Sequence, residues 1–220
     1  VLDECALDAQ THGSCVLRAT ATGTREAFAV ARALANHLLD AMPLSAARDC
    51  PEKLRDSEPP PSEVESAAAR IKLRSLSELA LDPARTQAAL LSWLIRASRD
   101  RPLVIAVDDV HKIDQPSAAL LAELLDNGKQ RGILVALAAD DAQQEELALQ
   151  ALMRRCSVLP LAPLTREQTR RLLDSLFGDV PHLDMLSDEI QRVALGNPRH
   201  TLDMAEHLVE RGTIRYAAGN

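Results

Sequence analysis

Aromatic residues are scarce in this chain. Trp93, Tyr216, Phe28 and Phe177 are the whole supply, 2% of 220 residues. Alanine and leucine therefore carry the core, a composition that favours helices. Long apolar runs are missing too. None approaches the roughly 18 residues of a membrane span, so no membrane partner is expected. Positive charge is in deficit, with a formal net charge of -7. That balance excludes a global basic footprint and argues against direct nucleic-acid binding. The opening "VLDECALDAQ" is acidic where a secretory signal is basic. Cys5, Cys15, Cys50 and Cys156 form no Cys-x-x-Cys pair and no histidines gather near them, which predicts reduced thiols in a cytoplasmic protein.

What is present is an alternation of periodic helices and short apolar strands. The chain is long enough for one ordinary domain and a smaller one. Leu2 to Gln10 reads as a helix, Cys15 to Ala19 as a strand, and Glu26 to Ala41 as a helix with Phe28, Ala31, Leu34, Ala35, Leu38 and Leu39 near one face. Pro43 is expected to end it. Residues 44–82 are proline-rich and charged and read as a surface excursion, poorly ordered around Pro59 to Pro61, with a Ser62/Glu65 capping box opening a helix through Leu73. Asp82-Pro83 opens another helix to about Ser98, with Ala88, Leu91, Leu94 and Ile95 on its buried side.

The next segment, "RPLVIAVDDVHKID", poses the functional question. Leu103 to Val107 is a buried strand by composition, and it runs directly into Asp108 and Asp109. Asp114 then caps a helix that ends at Gly132, and a second apolar strand spans Ile133 to Ala138. A helix from Gln143 to Arg154 and a strand from Ser157 to Leu161 complete an α/β pattern with a parallel sheet. In such sheets ligands gather at the carboxyl ends of strands. One carboxylate there can hold a hydrated Mg2+, and its neighbour can polarise water. A pair of acids that merely caps and solvates a turn fits the dipeptide as well.

Beyond Pro163 the pattern is wholly helical. Thr165 and Gln168 form a capping box for a helix to about Phe177, Ser187 caps another through Leu195, and "GNP" leads into a third, Arg199 to Arg211. "TIRY", Thr213 to Tyr216, is β-prone.

The segment "PLVIAVDDVHKIDQPSAALLAEL" resembles the Walker B strand and following helix of the STAND signalling ATPases, P-loop NTPases related to AAA ATPases. His111 and Asp114 occupy that family's His-x-x-Asp positions, and Lys112 stands where tryptophan is frequent. "GSCVLRATATGTREAFAVARALANHLL", "LPLAPLTREQTRRLLDSLFG" and "GNPRHTLDMAEHLVERGTIRY" are similar to the strand, lid entry and Gly-x-Pro lid motif of the same proteins. Similar modules occur in bacterial LuxR-type regulators and multidomain serine/threonine kinases.

The resemblance implies an α/β fold: an incomplete parallel P-loop NTPase sheet wrapped by helices, followed by a small all-helical lid. It divides the chain into a truncated core at residues 1–162, with 44–82 inserted, a lid at 163–212, and the start of a following element at 213–220. It implies ATP or ADP with Mg2+ as cofactor in the intact protein. Asp108 would hold the metal, Asp109 would act on the hydrolytic water, and Pro198 and Arg199 would face the nucleotide. His111 would order the loop without being catalytic. Attached regulatory or effector domains, or further copies of the chain, would be the partners.

One element of that family is absent from the sequence. No Gly-x-x-x-x-Gly-Lys-Ser/Thr run exists: Gly128-Lys129 is preceded by Glu123 where the first glycine belongs. Aligned on the family, "VLDECALDAQ" is the helix that follows the phosphate loop, and the strand before that loop is missing. Weak or no nucleotide binding by these residues alone is the expectation. Asp140 and Asp141 stand where relatives carry a polar or arginine sensor, and a like charge there repels phosphate. A non-catalytic interaction scaffold built on the ATPase fold is therefore the rival reading. A receiver domain also pairs acids at a strand end, but it needs a later lysine, and none follows Lys129.

Overall fold

A computed structural model of the chain describes residues 2–24, 26–56, 72–128, 131–140, 147–178 and 180–211. The chain divides into two compact units, Val1–Val158 and Leu159–Asn220. In the first unit, β1 (Cys15–Thr20), β2 (Leu103–Asp108) and β3 (Ile133–Leu137) form a parallel sheet in the order β1-β2-β3. The central strand is covered on both faces, which is why it reads as an unbroken apolar run. Leu103, Ile105 and Val107 join the main core, while Val104 points the other way and packs with Val16 and Ala6 of helix α1 (Leu2–Thr11).

The two sheet edges differ. On β1 the outward N–H of Arg18 donates to His37 Nδ1 at 2.8 Å, so helix α2 (Ala29–Ala41) blunts that edge. Among the described residues no strand pairs with the outer side of β3, and Leu134 on it is 55% exposed.

α2 begins three residues later than its periodicity suggests. Phe28 takes a left-handed conformation at φ 64°, turning its side chain into the core at the cost of local strain. The helix start is held from outside: the N–H groups of Phe28 and Val30 donate to the two carboxylate oxygens of Asp114 at 2.8 and 3.2 Å, and Ala31 N–H donates to buried Ser117 Oγ at 2.9 Å. Asp114 at the same time accepts Ser117 N–H at 3.0 Å and caps helix α6 (Gln115–Gly128), as its sequence position predicts.

Pro43 does not simply stop α2; it is the first residue of helix α3 (Pro43–Asp49). The expected surface excursion is anchored in the core at both described ends. Ala46, Cys50, Leu54, Leu73 and Leu79 are buried, and Trp93 donates its indole N–H to Ala46 O at 3.1 Å. A single antiparallel bridge joins Arg55 to Leu73, so Leu73 is extended and not helical. The Ser62/Glu65 capping box and Pro59 to Pro61 lie outside the described residues. A capping box is present at Ser75 and Glu78 instead, opening the short helix α4 (Leu76–Leu79).

Helix α5 (Pro83–Asp100) starts at the Asp82 cap, but it is rotated from the expected face. Thr86, Leu90, Trp93, Leu94, Ala97 and Ser98 are buried, while Ala88 is exposed and Leu91 and Ile95 are half-buried. Trp93 explains the rotation, since the bulkiest side chain sets which stripe enters the core. After β3, helix α7 (Leu147–Met153) contributes Leu149 and Leu152. The beginning expected for it at Gln143, and the C-terminal "TIRY", lie outside the described residues.

The strand expected at Ser157 to Leu161 is not formed. Val158, Leu159 and Leu161 are 60%, 78% and 68% exposed, and an apolar run of this length becomes a strand only when a neighbour supplies hydrogen-bond partners.

The second unit is a packed trio of helices, α8 (Arg166–Phe177), α9 (Leu183–Ala194) and α10 (Pro198–Glu210), around Leu173, Leu183, Ile190, Ala194 and Ala205. Thr165 and Gln168 make both halves of the predicted capping box. Ser187 is not a cap. It sits inside α9 and donates to Asp184 O at 2.8 Å, because Leu183, Leu186, Ile190 and Ala194 extend the apolar stripe a turn further upstream. Gly196, at φ 77°, passes so close to the Leu164 backbone that a Cβ would collide with it, and Leu164 N–H donates to Gly196 O at 2.7 Å.

The shared cap at Asp114 yields the first prediction. Replacing Asp114 by alanine orphans helix N–H groups on both α2 and α6 and should cost about 2–4 kcal/mol in urea unfolding. Asparagine, which keeps one acceptor oxygen, should cost less than half as much.

Candidate functional site

Because the three strands are parallel, their carboxyl ends meet at one edge, with Thr20 of β1 paired to Asp108 of β2. The edge is laced together by backbone hydrogen bonds. Ala21 N–H donates to Asp108 O at 3.0 Å, Ala138 N–H to Val107 O at 2.9 Å, and Val110 N–H to Ala138 O at 2.9 Å. Beyond it lies a polar cleft of about 520 Å³, lined by Gly23, Thr24, Asp109, His111, Lys112, Ile113 and Asp140.

The two acids of the opening question differ sharply. Asp108 is exposed, and its Oδ1 accepts the N–H of Asp109 at 2.9 Å. The bond closes a local turn and leaves Oδ2 without a partner among the described residues. Asp109 is half-buried and left-handed at φ 52°, a conformation that aspartate tolerates better than most residues but that still stores strain. It heads a single 3-10 turn, Val110–Lys112, and its Oδ2 lies 3.0 Å from Lys112 Nζ. Lys112 is thus a built-in counter-ion for the second acid. His111 Nδ1 accepts Asp140 N–H at 3.2 Å, pinning the loop after β3 against the loop after β2; the ring proton then sits on Nε2.

These loops match a known pattern. The model of the AAA ATPase domain family covers residues 2–137, a stretch that contains all three strands and both acids. The chain belongs to the AAA ATPase domain family. No curated protein and no solved structure matches it. An AAA module is an ATPase-type, nucleotide-binding unit of the P-loop class, and ATP or ADP with Mg2+ is the cofactor its family uses.

The residues present fit only part of that cofactor. Asp108, an exposed residue, offers one carboxylate oxygen unshared among the described residues, the kind of ligand a largely hydrated Mg2+ accepts when phosphate oxygens complete its shell. Among the described residues no cluster of three or more His, Cys, Asp and Glu side chains could hold a metal unaided. Nor does the sequence contain a glycine-lysine loop to cradle phosphates.

Asp108 and Asp109 belong to the first unit; Pro198 and Arg199 open α10 in the second. Both Pro198 and Arg199 are exposed. The helix start there is self-capped, with Asn197 Oδ1 accepting the N–H groups of Arg199 at 3.0 Å and His200 at 3.2 Å. Among the described residues no helix of the chain is long and apolar enough to cross a membrane.

Sequence reasoning passed over Gly23 and Thr24 as cleft residues and over the Lys112–Asp109 pair. The first was readable: in a parallel sheet the loop after β1 must share an edge with the loop after β2. The second was not, since a lysine three residues from an acid pairs with it only when the backbone between them turns.

Strain at Asp109 can be tested apart from activity. Asp109→Gly removes an exposed ion pair worth at most about 1 kcal/mol and relieves a left-handed residue worth a similar amount. Urea unfolding should show unchanged stability or a gain of up to about 1 kcal/mol. A clear loss would mean that the ion pair outweighs the strain.

Proposed function

We propose that the chain is most of the regulatory nucleotide-binding module of a STAND-type signalling ATPase, an ATP-dependent switch in the longer protein. The observation that carries this reading is the division of labour at the carboxyl edge. Asp108 presents a free oxygen at the end of the central strand, and Asp109 is held beside it in a strained turn. In this reading β2 is a Walker B strand and Asp108 takes Mg2+ through water. Asp109 orients or deprotonates the hydrolytic water. Bound MgATP supplies the metal charge and the phosphoryl group that the switch senses. The α8–α10 unit acts as the lid, with Pro198 and Arg199 at its nucleotide-facing end. Attached regulatory or effector domains, or further copies of the chain, receive the signal, and the setting is cytoplasmic.

The Lys112–Asp109 pair adds a condition. Lys112 Nζ holds Asp109 Oδ2 at 3.0 Å, so this ion pair must open before that oxygen can meet a water. Slow turnover suits a switch. The same pair, together with Asp140 at the cleft, favours the second reading, an interaction scaffold whose chemistry has lapsed.

Two measurements separate these readings. Titration calorimetry of the 220-residue chain should show MgATP affinity no tighter than about 100 μM, because no phosphate cradle is encoded in it. Micromolar affinity would contradict this. When the chain is joined to a phosphate-loop segment, Asp108→Ala should weaken the Mg2+-dependent part of binding, while Asp109→Asn should slow hydrolysis by about 100-fold or more with little effect on affinity. Equal loss of affinity in both variants would dismiss the assigned roles, and no hydrolysis in the unsubstituted protein would favour the scaffold.

A further inference from the structure

The face of α5 that is only partly drawn into the core lines a groove of about 600 Å³ against α6, away from the carboxyl edge. Ala84, Ala88, Leu91 and Ile95 form its apolar floor at helical spacing, a stripe about 16 Å long. Gln87 donates to Glu123 of α6 at 2.8 Å and fixes the width between the two helices. One end of the groove carries Arg96, Arg99 and Arg131, an unusual concentration of positive charge in a chain of net charge -7. Among nearby acids, Asp49 and Asp100 pair with Arg48 and Asp126 with Arg155, while Glu123 lines the groove and accepts from Gln87, so three arginines face one groove carboxylate. Arg96 is steadied by donating to Asp49 O at 3.0 Å, whereas Arg99 and Arg131 have no carboxylate partner among the described residues.

We propose that this groove docks an amphipathic helix of a partner protein that is apolar along one face and acidic in its first turn. The small side chains at Ala84 and Ala88 permit close approach at one end, and Leu91 and Ile95 supply anchoring contacts in the middle. A partner helix covering three turns would meet the floor at i, i+4, i+7 and i+11. Its direction follows from electrostatics. Acidic residues are most stable in a helix's first turn, and Arg96 and Arg99 lie at the carboxyl end of α5, so the two helices run antiparallel. This inference stands on α5, α6 and Arg131 in the turn before β3, and is independent of the nucleotide site.

The test uses the 220-residue chain and two fluorescein-labelled helical peptides of about four turns. Both carry the same apolar face; one has glutamates in its first turn, the other lysines. Fluorescence anisotropy should show the glutamate-led peptide binding at least about tenfold tighter, with the gap shrinking in about 0.5 M salt. Arg99→Glu/Arg131→Glu should reverse the preference, and Leu91→Asp should abolish binding of both, with far-UV circular dichroism confirming the fold of each variant. Should the double variant fold poorly, Arg99→Ala serves in its place and should erase the preference. Equal affinity for the two peptides, no binding at about 1 mM, or a preference untouched by the arginine substitutions would overturn the proposal. So would concentration-dependent self-association of the chain that Leu91→Asp removes, which would make a second copy the occupant.

Discussion

The Asp114 carboxylate is the contact on which the first unit depends. Its two oxygens accept N–H groups from Phe28, Val30 and Ser117, so one side chain closes the starts of two helices that are far apart in sequence. Ser117 extends the arrangement by accepting the N–H of Ala31. Helix starts bring unsatisfied donors and partial positive charge, and a shared anion relieves both at once. The consequence is geometric. With α2 and α6 fastened at the carboxyl edge of the sheet, the short loop from Asp109 to Ile113 has little freedom left.

That fixed loop assigns different work to three nearby acids. Asp114 is consumed by structure. Asp108 spends one oxygen on its own turn, and the other has no partner among the described residues. Asp109 is strained and paired with Lys112, so its charge is balanced within the chain. One acid is exposed, one is restrained by an ion pair and one is taken up in capping two helices. The lack of a glycine-lysine loop limits what these residues achieve by themselves, and among the described residues no strand pairs with the outer edge of β3.

Much of this was legible in the sequence, for identifiable reasons. The central strand announced itself because burial on both faces erases alternation, and Asp82, Asp114 and Thr165 signalled their helix starts through local side-chain chemistry. The errors arose where tertiary contacts decide. Phe28 leaves the helix that its apolar spacing suggests, because a distant aspartate stabilises the left-handed turn. Trp93 rotates α5 away from the stripe that periodicity selected. Ser187 looks like a cap until Leu183 shows that burial carries the helix further. The apolar run at Ser157 to Leu161 has strand composition but, among the described residues, no strand pairs with it. At the site, the paired acids could be read directly, whereas the ion pair that restrains one of them depends on a backbone turn that no spacing rule encodes.

The central proposal is that Asp108, at the end of β2 and next in the chain to the cleft-lining Asp109, offers a metal-side carboxylate. Paramagnetic broadening by Mn2+ in the presence of ATP, followed by amide NMR, reaches even weak binding and reads position directly. Resonances from Ala21 to Thr24 and from Asp108 to Ile113 should broaden first, and Asp108→Ala should abolish the effect. Broadening that Asp108→Ala leaves unchanged, or that falls equally on exposed acids elsewhere such as Glu189 and Asp203, would contradict it.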